Sequence, residues 1–100
     1  MKTIQMGLNT EPSWVKADEV IERFKASGNE EMIQYWERMK ADTLELRAKI
    51  IEAVEADGEC ELNWSCTGAT LFDILAWNWK KAMPQYRFEI GRYRCIVHKN

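Results

Sequence analysis

One hundred residues, 46% of them apolar and 30% charged, can bury one hydrophobic core but not two, so the chain reads as a single domain over residues 1–100. Glycine and proline together number only seven. No apolar run approaches a membrane span, and the residues after Lys2 lack a signal-peptide core, which argues against disorder, insertion and export and leads to the expectation of a soluble cytoplasmic protein. The net charge of -2 divides unevenly, with -6 on residues 1–66 and +4 on residues 67–100, so the halves can attract each other or offer faces of opposite sign to different partners.

Ile4-Gln5-Met6-Gly7-Leu8 alternates apolar and polar residues and suggests a short first strand. Thr10-Glu11-Pro12-Ser13 reads as a helix start, with a hydroxyl cap and a proline in the first turn. Trp14, Ala17, Val20, Ile21 and Phe24 follow on one helical face up to about Ser27. Gly28 suits the left-handed residue that ends a helix, and Asn29 can cap the next. The second helix carries a seam of Met32, Trp36, Met39, Thr43, Leu46 and Ile50 that runs on to Val54 before Gly58. Residues 10–57 are therefore expected to form a helical hairpin. At 1.5 Å per residue the second helix is about 40 Å long and the first about 20 Å. The first can cover only the Met32-Trp36-Met39 half of the seam, and Leu46, Ile50, Ile51 and Val54 require another cover: the C-terminal half of this chain, a second copy through helix 30–56, or a partner.

Unbroken alternation in Cys60-Glu61-Leu62-Asn63-Trp64-Ser65-Cys66 predicts a strand with both cysteines, the leucine and the tryptophan on one face. Thr67-Gly68 turns the chain. Residues 69–83 form a helix whose main stripe is Leu71, Phe72, Leu75, Trp79 and Ala82, stopped by Pro84. Tyr86 to Val97 reads as a hairpin with Gly91-Arg92 as a two-residue loop, setting Ile90 opposite Tyr93, Phe88 opposite Cys95 and Tyr86 opposite Val97 on one apolar face. Arg87, Glu89 and Arg94 take the other face, with Ile96 as an exception. The expected fold is α+β, an N-terminal helical hairpin with a long second helix packed on a β-α-β-β unit over residues 59–98.

Three cysteines are an odd number and unlike a disulfide framework, so Cys60, Cys66 and Cys95 are read as thiols. A zinc site made from them and His98 is disfavoured, because six extended steps of about 3.3 Å hold Cys60 and Cys66 far apart. Cys66 lies just ahead of a helix, as a nucleophile could, but a right-handed crossover puts His98 at the other end of the sheet. The glycines are scattered and no paired carboxylates flank a hydroxyl, so neither an enzyme nor a cofactor is expected.

Two surfaces remain. Trp77 and Trp79 stand about 200° apart around one helix. Trp79 belongs to the main stripe, while Trp77, beside Ile74, Lys80 and Lys81, either covers Leu46 and Ile50 or is an exposed anchor for a protein partner. Arg87, Arg92 and Arg94, with Tyr86 and Tyr93 interleaved, form an alternative nucleic-acid-binding ribbon. The acidic excess on the second helix, from Glu30 to Glu55, is either a solvated face or a surface for a basic partner. Ile74-Leu75-Ala76-Trp77-Asn78-Trp79 and Pro84-Gln85-Tyr86-Arg87-Phe88 resemble the small accessory proteins of bacteriophages and prophages over roughly the last thirty residues. That resemblance implies an inhibitor or adaptor that binds a host protein, or a nucleic-acid binder, rather than a catalyst.

Overall fold

In the computed structural model, which describes residues 1–66 and 68–100, the alternating segments become four strands of one mixed sheet. They are β1 (Lys2–Met6), β2 (Glu59–Trp64), β3 (Tyr86–Gly91) and β4 (Arg94–Lys99), in the spatial order β1-β2-β4-β3. β1 runs parallel to β2, with Ile4 opposite Leu62. β4 is antiparallel to both of its neighbours, with Cys95 opposite Leu62 on one side and Ile90 on the other. β1, β2 and β3 therefore point the same way, and a parallel pair cannot be joined by a tight turn. Helices α1 (Asp18–Ser27) and α2 (Glu30–Asp57) supply the first crossover and α3 (Ala69–Ala82) the second.

Because side chains alternate along a strand, each strand gives one face to the helices. Ile4, Met6, Cys60, Leu62, Trp64, Phe88, Cys95 and Val97 meet Ile50, Ala53 and Val54 of α2 and Phe72, Leu75, Ala76 and Trp79 of α3 in one buried cluster. The result is a two-layer α+β domain. The other face of the sheet, with Thr3, Gln5, Glu61, Arg87, Glu89 and Arg94, carries no buried helix contact.

α2 spans 28 residues, and its length sets the 44 Å long axis of the molecule. Its first half joins α1 in a second small core of Ala17, Ile21 and Ile33, flanked by Phe24 and Trp36. In its second half, Ile50 and Val54 are fully buried, with Leu46 and Ile51 packed against the sheet cluster. The C-terminal half of the chain thus covers the rest of the seam. Thr43, at the changeover, is also fully buried, and its hydroxyl donates to the Met39 carbonyl at 2.8 Å, which satisfies the one polar group in the stripe. Asn29 caps α2 by accepting from the Met32 N–H at 3.2 Å, while Gly28 (φ 71°) and Gly58 (φ 82°) occupy left-handed positions at the two helix ends.

Four expectations change. The first helix does not start at Thr10, because the Thr10 hydroxyl and N–H both bond back to the Gly7 carbonyl, at 2.6 and 3.2 Å, and close the turn after β1. A 3-10 turn, Pro12–Lys16, intervenes instead, capped by Glu11, and brings Trp14 edge-on to Trp36 at 4.0 Å. β1 itself begins at Lys2 and ends before Gly7. Ile33 rather than Met32 is the buried residue at the start of the seam.

In the hairpin, Gly91 pairs with Arg94 and the loop is Arg92-Tyr93, so Phe88 faces Val97 and Tyr86 faces Lys99. The shift is two residues. A two-residue slip keeps every strand side chain on its face, which is why Tyr86, Phe88, Ile90, Cys95 and Val97 share the expected apolar face although the register differs. Tyr93 leaves that set, taking a left-handed turn position at φ 55° with its ring 5.8 Å from Phe72. The turn expected at Thr67-Gly68 lies partly outside the described residues.

Candidate interaction surface

α2 packs over β1, β2 and β4, and α3 packs over β3, so the two helices lie on the same face of the sheet. The far side of α3 is left to solvent. Trp79 is 1% exposed and Trp77 is 44% exposed, which corrects the reading of Trp77 as a cover for Leu46 and Ile50. Leu71, at 43%, leaves the buried stripe and joins Ile74, at 51%. These three residues recur every third position, so they line one side of the helix over two turns. Lys80 places its ammonium 4.2 Å from the centre of the Trp77 ring, and Lys81 is exposed beside it. A cation over the ring face holds the indole in one orientation. The surface is apolar along its length and basic at its C-terminal end.

Arg87 and Arg94 stand on the helix-free face of the sheet, and Arg92 in the hairpin loop. Glu89 lies among them. Its carboxylate accepts from His98 Nε2 at 3.0 Å, and that bond, helped by Arg94 and Arg87, holds its pKa below the usual carboxylate range. The other imidazole nitrogen lies 3.4 Å from Glu59. A polar ladder continues the face, with Asn63 donating to Gln5 at 3.2 Å and Gln5 to Ser65 at 2.8 Å. The interleaved tyrosines do not join this face, since Tyr86 is buried with its hydroxyl donating to Glu55 at 2.8 Å and Tyr93 leans on Phe72. Arg87 and Arg94 thus share their ground with the Glu89 carboxylate.

Cys60 and Cys95 are buried in the main core, where desolvation pushes their thiols up to about 11 and about 12. Cys66 is half-buried just beyond β2, its Sγ donating to the Gly68 carbonyl at 3.7 Å. His98 pairs with Glu59 at the first residue of β2, so imidazole and Cys66 thiol lie at opposite ends of that strand. Among the described residues no three His, Cys, Asp or Glu side chains are grouped to hold a metal ion.

No family model, curated protein or solved structure matches this chain. No described helix is long and apolar enough to cross a membrane. One surface was missed by sequence reasoning: a cleft of about 620 Å³ between the 3-10 turn, the middle of α2 and the end of α3, with Arg47 in its wall. Its parts are 27 or more residues apart along the chain, and no local pattern announces it.

Proposed function

We propose that this domain is a non-catalytic protein-interaction module whose contact surface is the outer side of α3, with Ile74 and Trp77 as anchors and Lys80 and Lys81 as a basic rim. The observation that carries the reading is the exposure of Leu71, Ile74 and Trp77 in one row on a helix whose opposite side is fully packed. Contiguous exposed apolar side chains of this size mark interaction sites, and tryptophan is the residue most enriched among binding hot spots. The rim suits a partner with an apolar pocket bordered by carboxylates. An inhibitor or adaptor of the bacteriophage accessory type, working in the cytoplasm where its three thiols stay reduced, fits this surface.

The test is a pull-down from bacterial lysate with the tagged domain and its Trp77→Ala and Ile74→Asp variants, each run with and without nuclease. A discrete protein retained by wild type after nuclease and lost by both variants supports the reading. Retention by the variants removes α3 as the contact surface. Recovery of nucleic acid, abolished by Arg92→Ala with Arg94→Ala, transfers the function to the hairpin with Arg87, Arg92 and Arg94. Light scattering completes the test. Since Ile50 and Val54 are buried within the chain, a dimer through helix 30–56 would have to use its exposed residues, among which Tyr35 and Leu44 are the large apolar ones.

A further inference from the structure

The cleft between the 3-10 turn, α2 and α3 combines features that the outer side of α3 lacks. Its apolar lining includes Val15 and Pro84, and Lys16, Arg47 and Lys81 converge on it from three separate elements. Its only carboxylate, Glu11, is engaged in accepting from the Ser13 N–H at 3.2 Å. None of the three cations forms an ion pair among the described residues. Arg47 is half-buried, and its Nε is buried without a hydrogen-bond partner. Trp79 also lines the cleft, and its fully buried indole N–H has no acceptor either.

Buried donors are nearly always paired, so each one left unpaired calls for an explanation. Among the described residues three such side-chain donors occur, and two of them are on residues that line this cleft, Arg47 and Trp79. A guanidinium whose Nε is buried and unpaired, with two further cations lining the same cleft, is costly in the free protein and gains from an anion. The volume lies in the range of small-molecule sites, roughly 300–1,000 Å³. A bare inorganic ion would leave the Val15 and Pro84 side of the cleft unfilled.

We infer that this cleft is a binding site for a small organic anion, a carboxylate or phosphate monoester on an apolar body, with Arg47 as the principal anion contact, Lys16 and Lys81 as flanking charges and the apolar lining holding the body. The site is distinct from the row of Leu71, Ile74 and Trp77, and it stands whether or not that row binds a protein.

Phenyl phosphate, benzoate, inorganic phosphate and benzyl alcohol, titrated separately into the 15N-labelled domain up to about 10 mM, test the site through the Trp79 indole N–H cross-peak. The expected result is a saturable shift with phenyl phosphate or benzoate, and none with benzyl alcohol. The stronger of the two identifies the headgroup as phosphate or carboxylate. Arg47→Met should weaken that binding by about tenfold or more. Lys81→Met, an exposed change that leaves the core intact, should weaken it as well, and Trp77→Ala should not. No saturable shift with either aromatic anion overturns the assignment, as does equal binding of benzyl alcohol. Unchanged affinity in both Arg47→Met and Lys81→Met does the same, and binding of inorganic phosphate as tight as that of phenyl phosphate removes the apolar body from it.

Discussion

Two aromatic residues five positions apart on α3 make opposite demands on the fold. Phe72 is 1% exposed and lies edge-on to Trp64 at 5.4 Å, so Phe72→Ala removes both transfer energy and a ring pair and leaves a cavity. A cost of about 3–5 kcal/mol follows, and with about 4–8 °C per kcal/mol for a domain of this size the melting temperature should fall by more than about 10 °C. Trp77 is 44% exposed, with Lys80 over its ring. Trp77→Ala should cost roughly 0.5–1 kcal/mol, a shift of a few degrees by calorimetry. A large loss of stability in Trp77→Ala would show that its ring supports the core and would undo the interaction surface. The thiols separate by the same logic. Cys60 and Cys95 are buried with raised pKa values, whereas Cys66 is half-buried, so a thiol reagent at neutral pH should label Cys66 alone in the native protein and all three cysteines after denaturation.

At the scale of elements, the glycines report which backbone conformations the fold requires. Gly58 ends α2 at φ 82°, and a Cβ there meets nothing within 4 Å, so Gly58→Ala pays only the conformational penalty, about 1–2 kcal/mol. Gly91 behaves differently. It pairs with Arg94 inside the ladder, its φ is not positive, and an added Cβ comes no closer than 3.9 Å to Arg94. Gly91→Ala should therefore leave urea stability unchanged or raise it by about 0.4–1 kcal/mol, whereas a hairpin turning on Gly91-Arg92 would be destabilised. Gly91→Ala thus reads the register directly. It also shows where sequence reasoning ran out. The 3.6-residue period of α2 and the two-residue period of β2 are intrinsic to each segment, so both elements and their buried faces were legible in advance. Register is a relation between segments, and the alternation of Tyr86, Phe88 and Ile90 fits Cys95 and Val97 equally well after a slip of two. Leu71 was misread for a similar reason, since only the position of the neighbours decides where a helix's buried arc ends.

Across the whole molecule, one exposed carboxylate joins the two layers at the end where α2 stops. Glu55 accepts from the Tyr86 hydroxyl of β3 and pairs with Lys99 of β4, both at 2.8 Å, while the Lys99 N–H bonds the Gly58 carbonyl. The bonds from Lys99 and Tyr86 hold the Glu55 carboxyl below its ordinary pKa, and burial together with Glu55 raises that of Tyr86. The signs then set a pH profile. A lowered carboxyl contributes stability above its unfolded pKa of about 4.3 and loses it as pH falls through the folded value. Glu89, lowered by His98, adds to the same acid limb. A raised phenol or thiol contributes fully below its unfolded pKa, about 10 for Tyr and 8.5 for Cys, and loses that contribution as pH rises towards the folded value. Urea stability should thus form a plateau between about pH 5 and 8 and decline on both sides. Glu55→Gln should lower the plateau and flatten the acid limb in part, with Glu55→Gln plus Glu89→Gln flattening it further. Tyr86→Phe should lower the plateau too, and should soften the alkaline limb without abolishing it, because Cys60 and Cys95 still titrate there. An acid limb identical in wild type and the double variant would mean that these carboxylates do not couple α2 and β4 to β3, and that the two layers are held by the apolar core alone.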